Sequence, residues 1–565
     1  MRPILRAILA ATALPAVLSA GDRSDGRPFA TRSVVHARHG MVAAAHPLAV
    51  QIGVDVLQKG GSAVDAAIAV NAALAFLEPV SCGIGGDLFA LVWDARTNRL
   101  HGLNASGRAP RALTPDKVPA DADGTIPPRS PFAWTVPGAV DGWFELHAKF
   151  GRLPLAEVLA GPIAAAREGE PVPQVIAGQW EDGARILKDK PGFASTFLPG
   201  GRPPREGEVF RNPGLARSFE AIVKGGRDAY YRGEIARAIV EMSQRNGGLF
   251  TAEDFASHRS EWVDPISTDY RGVRVYELPP NGQGITALMM LNILEGFDLR
   301  AMGRDSARFW HTMVEAKKLA FEDRARFIAD PAFHKASVDW LLAKDYARDR
   351  AKLIDPGRAA RRLDAGHPPA ASGDTTYLAV ADEDGNMVSL IQSNYSGFGS
   401  GYTVDGWGFG LHNRGAQFSL KPGLPNTLAG GKRPFHTIIP AFALKDGKPW
   451  LAFGLMGGDM QPQGHVQILV NVIDFGMDLQ EAGDAARYYH TGSSEPTGTL
   501  MTTGGALALE SGVPAEVRRE LVKMGHRVAD QVGIFGGYQA VARDPVTGVL
   551  SGATESRKDG CAMGY

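Results

Sequence analysis

Along the chain the apolar residues fall into runs of two kinds. Leu48 to Lys59 has the spacing of a helix, stopped by Gly60-Gly61. Ser62, with Asp65 three residues on, has the form of a capping box that opens a second, alanine-rich helix ending before Pro79. So many alanines predict close packing between neighbours. Leu153 to Glu168 reads as a further helix, and Glu277 to Phe297 as a Pro/Gly loop feeding an apolar helix of the core. The second kind of run is short and suits strands. Leu88 to Asp94 and Arg99 to Leu103 predict a strand pair. Thr375 to Ala381 predicts a buried strand, which the turn cluster Asp382 to Asn386 reverses into a second apolar run, Met387 to Ile391. Mixed helix and strand signals of this kind fit an α/β protein.

Length and composition narrow the picture. At 565 residues the chain exceeds one small core, so two domains or one large multilayer domain are expected. Hydrophobic residues make up 44% and charged residues 21%, as in an ordinary globular protein. With 60 basic and 61 acidic residues there is no electrostatic case for binding nucleic acid or an anionic membrane. The only cysteines, Cys82 and Cys561, exclude a disulfide scaffold and a cysteine-based zinc site. At most they form one bridge; small buried or loop cysteines are the plainer reading. At the amino terminus, Arg2 and Arg6 precede an apolar run from Ala7 to Ala20, too short to span a bilayer. Residues 1–20 therefore resemble a secretory signal, with cleavage after Ser19 or Gly21 fitting better than after Ala20. Export to the periplasm or medium is expected, and a cytoplasmic location if this segment is not a signal. No other segment is long and apolar enough to cross a membrane.

Several stretches invite a chemical reading. Gly83, Gly85 and Gly86 precede a strand instead of following one, and the next glycine of a dinucleotide fingerprint would fall on Leu88, so that site is rejected. His311 and Glu315 lie four apart on a helix, but a metal would need more ligands, and a solvated or packing role is expected. Thr375 and Thr376 after Gly373-Asp374 have an ordinary explanation, since β-branched residues suit strands and Gly-Asp suits loops. Ile354 to Ala371 is basic and proline-containing with little periodicity, an irregular linker ahead of that strand.

The order of segments adds more. GDTT followed by a strand, DGN and SGFGSG, within residues 372–401, resembles the small-subunit start of the γ-glutamyltransferase (glutathione hydrolase) family of N-terminal-nucleophile hydrolases. The two-helix opening, TVPGAVDGW (Thr135–Trp143), NGGLFTAEDF (Asn246–Phe255) and the terminal GATESRKDGCAMGY extend the resemblance over roughly residues 33–565. The resemblance implies a four-layer αββα sandwich made by two subunits cut from one precursor. The cut falls between Asp374 and Thr375, leaving 21–374 as large subunit and 375–565 as small subunit. A threonine hydroxyl is a weak nucleophile and needs a base nearby. A freed α-amino group titrates at about 7.7–8.0, against about 10.4 for lysine, so cleavage places nucleophile and usable base on Thr375 alone.

Other roles carry over position by position. Ser393 takes the place of a hydroxyl that bonds the nucleophile. Gly457-Gly458 takes that of a diglycine whose N–H groups suit an oxyanion hole. The family's carboxylate-binding arginine falls on Ser106; Arg108, two residues on, would keep the same strand face. Asn394-Tyr395 replace a Leu-Asn pair, so Tyr395 stands where an amide recognises substrate. Arg414 and Gln417 replace an amide and an acid that hold the substrate ammonium. The exchange removes an ion pair and favours an anionic group, although Arg414 pairing with a structural carboxylate is equally open. His436 and Thr437 replace two serines that bind the substrate carboxylate. No cofactor or metal is implied. The partners are a small-molecule amide and the two fragments of the precursor, with a dimer of these heterodimers open. Three functions follow: hydrolysis or transfer of γ-glutamyl amides such as glutathione; hydrolysis of another acid amide, such as oxamate or an acyl-amide antibiotic; or an uncleaved, non-catalytic binding protein.

Overall fold

The computed structural model describes residues 26–119, 124–365 and 374–565. Two seven-stranded sheets organise it, antiparallel throughout. One runs in the order Val35–Ala37, Leu550–Ala553, Gly537–Arg543, Lys448–Met456, Ala441–Lys445, Val273–Glu277, Ile266–Tyr270. The other runs Cys561–Gly564, Met41–Ala44, Asp374–Ala381, Met387–Tyr395, Asp87–Asp94, Arg99–Ala105, Glu261–Val263. The predicted hairpin is thus central in the second sheet, with Leu378 opposite Leu390.

Period-two alternation sorts the side chains of these strands. Phe89, Leu91, Tyr377, Ala379 and Ile391 meet Phe442, Ala452 and Val541 in one apolar cluster drawn from both sheets. Their neighbours Leu88, Ala90, Leu378, Val380 and Leu390 pack with the helices Pro47–Gln58 and Ala63–Leu77. On the other sheet Val275, Ala443, Leu451 and Phe453 pack with Gly284–Leu294, Ala307–Phe327 and Met460–Ile473. Every residue of Ala63–Leu77 is buried, as expected of a helix apolar on all sides. Its capping box is present in both directions, Ser62 with Asp65. Gly284–Leu294 is wholly buried as well. Truncating Leu74 or Leu288 to alanine would leave a cavity costing about 2–5 kcal/mol.

The strand pair and both amino-terminal helices lie within a residue or two of their predicted bounds. Leu153–Glu168 is instead two helices, Leu155–Val158 and Ala160–Glu168. Pro162 has no N–H to give to Val158, which breaks the ladder there. The strand beginning at Met387 continues to Tyr395. Both cysteines are free, Cys82 buried and Cys561 half-buried. Among the described residues no helix is long and apolar enough to cross a membrane. The signal-like segment 1–20 lies outside the described residues, as do residues 366–371 of the irregular linker.

Candidate active site

The hairpin is irregular at the point where the chemistry is expected. Asp374 pairs with Tyr395 and Thr376 with Gln392, so two residues, Ser393 and Asn394, stand opposite Thr375 alone. Such a bulge re-aims the strand that carries it. Thr376 is buried, and its Oγ1 donates to Glu78 Oε2 at 2.8 Å. Glu78 caps the end of the Ala63–Leu77 helix, and burial pushes its carboxyl above the usual range.

Past the bulge, Tyr395 has φ +75°, a conformation rare outside glycine. Its N–H donates to Ser393 Oγ at 2.8 Å, and its ring lies 4.5 Å from the Arg414 guanidinium. Arg414, fully buried on the short turn Arg414–Gln417, donates to Ser393 Oγ (3.0 Å) and Thr437 Oγ1 (2.6 Å). Gln417 Nε2 donates to the Tyr395 hydroxyl. Five of the residues singled out from the sequence, Ser393, Tyr395, Arg414, Gln417 and Thr437, thus form one connected group.

His436 and Arg108 are engaged elsewhere. His436 Nε2 donates to Asp87 Oδ2 at 3.0 Å, and its Nδ1 accepts from the Ile438 N–H at 3.4 Å. Burial, with Arg414 adding to it, pushes His436 down to about 3, so the ring is neutral near pH 7. Burial works against ionisation of Asp87, but His412, His436 and Arg414 hold it down to about 2. Asp87 also accepts the N–H groups of Gly107 and Gly138 at 3.0 and 3.2 Å. Arg108 lies beyond the strand Arg99–Ala105, so the expected continuity of strand face stops short of it. Its guanidinium reaches Glu261 at 2.8 Å and Asp330 at 3.4 Å.

Gly457 and Gly458 link the strand Lys448–Met456 to the helix Met460–Ile473, with φ of +115° and +57°. A Cβ on Gly457 would lie 3.1 Å from Met460 Cβ and 3.3 Å from Gly536 Cα, so only glycine fits. The Gly457 carbonyl accepts from Met460 N–H at 2.9 Å, and that of Gly458 from Gln461 N–H at 3.1 Å. Among the described residues neither glycine N–H has an acceptor. Gln283 Nε2 ties Gly458 O (3.0 Å) to Thr437 O (2.8 Å), and its Oε1 accepts from Arg324 at 2.5 Å. Arg324, wholly buried, also meets Asp459 Oδ1 at 2.5 Å. Beside this turn opens a cavity of about 380 Å³ that Tyr395 and Gly457 both line. Asp87, Gln283, Arg324 and Asp459 carry no sequence signal beyond lying in glycine-rich turns or helices.

One group of metal-ligand type is found among the described residues: His311, Glu315 and His526, with ligand atoms within 4.8 Å of one another. All three are buried, so of the two expected roles the packing one is observed. His311 donates Nε2–H to Asp355 O at 2.7 Å and accepts from His526 Nε2 at 2.8 Å. Lys318 already neutralises Glu315 at 2.7 Å. The cluster is satisfied as a hydrogen-bonded anchor.

The chain as a whole has close counterparts. A cephalosporin acylase from Bacillus halodurans superposes with TM-score 0.88 at 44% identity, covering 96% of this chain and 99% of that one. A glutathione hydrolase-like YwrD proenzyme of Bacillus subtilis (strain 168) is 40% identical, covering 93% of this chain and 98% of that protein. An acylase ACY 1 proenzyme of Pseudomonas sp. (strain SE83) is 38% identical, covering 92% of each. The fold and these likenesses define an amidohydrolase. Residues 49–565 match the family described as Gamma-glutamyltranspeptidase, and the chain belongs to that family.

Proposed function

We propose that the precursor cuts itself between Asp374 and Thr375 and that Thr375 then hydrolyses an acyl amide whose acyl half ends in an acid. The fold is read as the four-layer αββα sandwich, for which the three apolar clusters around two sheets speak. The Thr375 hydroxyl attacks the amide carbonyl and passes its proton to its own α-amine. The Gly457 and Gly458 N–H groups hold the oxyanion, and their lack of internal acceptors supports that role. The amine returns the proton to the leaving nitrogen as the C–N bond breaks. Water then attacks the acyl ester, releasing the acid and restoring the threonine. The reading as a non-catalytic protein gives way to that of an enzyme.

The observation that carries the choice of acyl group is Arg414, a buried cation placed on Ser393 and Thr437, with Gln417 turned to Tyr395. A neutral amide at 417 offers no ion pair to an α-ammonium, while the guanidinium suits a carboxylate. Charge-assisted hydrogen bonds are worth about 1.5–3 kcal/mol, or roughly ten- to a hundredfold in selectivity. The processed enzyme is expected to turn over glutaryl-4-nitroanilide at least tenfold faster, in kcat/KM, than γ-glutamyl-4-nitroanilide. A preference for the γ-glutamyl compound would overturn this reading. It would favour a second one, γ-glutamyl hydrolysis or transfer, which the likeness to the glutathione hydrolase-like relative supports. Mass spectrometry of active material must show a fragment beginning at Thr375; an intact chain with full activity would end both.

A further inference from the structure

We propose that Lys558 sets specificity in this reaction by receiving a carboxylate on the amine half of the substrate. The inference rests on the reading of Thr375 and the diglycine given above. The cavity of about 380 Å³ is lined by Gln179, Tyr395, Gly457, Tyr489, Ile534 and Lys558, among others. Of its described lining residues only Lys558 carries a charge. The stem of Lys558 is placed by a close approach. A Cβ on Gly537 would fall 2.6 Å from Lys558 Cγ, and Gly537 stands opposite Met456, one residue before Gly457. The bare backbone at 537 lets the aliphatic stem cross the end of the strand pair, which brings Lys558 to the cavity that Gly457 also lines.

The ammonium is available. Lys558 is half-buried, and among the described residues it forms neither an ion pair nor a hydrogen bond. Glu78 and Asp559 feel its charge, but Glu78 is fully buried and already accepts from Thr376 and Ser81, and Asp559 already accepts from the N–H groups of Val175 and Ile176. Arg414 and Lys558 differ in depth. Arg414 is wholly buried against the Tyr395 ring and does not line the cavity, whereas Lys558 lies in the cavity itself. With the acyl group held at Arg414, the leaving amine occupies the cavity, and an acid on that amine meets Lys558.

The test compares glutaryl-4-nitroanilide with glutaryl-3-carboxy-4-nitroanilide, which differ only by a carboxylate on the amine half. The processed wild type should favour the carboxylated compound roughly fivefold in kcat/KM, the range of a solvent-reached ion pair. The preference should shrink in 1 M NaCl, where the screening length is about 3 Å. Lys558→Met should bring the ratio close to one, Lys558→Arg should keep it, and Lys558→Glu should invert it. A ratio unchanged in Lys558→Met overturns the proposal. If the wild type cleaves neither anilide, the choice of a glutaryl-type acyl group falls, and calorimetry with 5-amino-2-nitrobenzoate against 4-nitroaniline decides Lys558 separately. Tighter binding of the carboxylated amine that Lys558→Met abolishes supports the proposal; equal binding of the two amines by the wild type overturns it.

Discussion

Arg324 and Arg414 are both fully buried, yet they hold their charge for different ends. Arg324 meets a carboxylate, Asp459, and the amide oxygen of Gln283, and through Gln283 it fixes Gly458 and Thr437. Its charge closes an internal network. Arg414 donates to the hydroxyls of Ser393 and Thr437 and stacks on Tyr395, every one a residue beside the bulge or the segments it faces. Its charge is set among the groups proposed to meet the substrate. Burial alone does not separate the two; the identity of the neighbours does.

Four measurements would break or sharpen that contrast. The largest effect is expected from Thr375→Ala, which leaves both arginines in place and removes the proposed nucleophile. The chain should stay in one piece on a denaturing gel, and amide hydrolysis should fall by about 10³-fold or more. Arg324→Met comes next. It leaves Asp459 buried without its cation, and losing one partner of a buried pair costs about 3–5 kcal/mol. Urea unfolding should show that loss; a stability within about 1 kcal/mol of wild type would mean that the pair does not organise the diglycine turn. Arg414→Met should cost less in stability but reduce kcat/KM for the glutaryl anilide by roughly ten- to a hundredfold, the worth of a charge-assisted hydrogen bond. An equal loss on an uncharged acyl anilide would reduce Arg414 to a structural role.

The smallest effect is graded with pH. His436 is pushed from 6.5 to about 3 by burial, so it stays neutral in the folded protein while the unfolded chain takes up a proton below 6.5. Stability therefore falls as pH falls from 6.5 toward 3, by about 1.4 kcal/mol per unit for one fully shifted group. His465, likewise pushed to about 3, adds to the same slope. Replacing His436 by Gln should flatten the decline of Tm between pH 6.5 and 4; an unchanged slope would place the titration elsewhere.

Much of the scaffold around Thr375 follows from short-range pattern. The alternation in Thr375–Ala381 and Met387–Ile391, with a turn cluster between, is enough for the hairpin, and Ser62 with Asp65 is enough for the cap of the buried helix. Each depends on residues a few positions apart, where periods of 2 and 3.6 act directly. The candidacy of Ser393, Arg414, Gln417 and Thr437 was also readable, through family-like segments in order. Their connection was not: two residues bulging opposite Thr375 is a property of the strand pairing, which no single run displays.

The chain by itself determined which segments become strands and helices and which threonine follows the Gly-Asp step, because those depend on local periodicity and local capping. Only the tertiary structure decided which charges meet. Arg324 finds Asp459 across 135 positions, and His436 finds Asp87 across 349. Arg108, expected beside the substrate, turns to Glu261 and Asp330 because its strand ends three residues earlier. A buried charge takes the partner that the fold brings within reach, and that distance is set by the packing of whole sheets and helices, not by spacing along the chain.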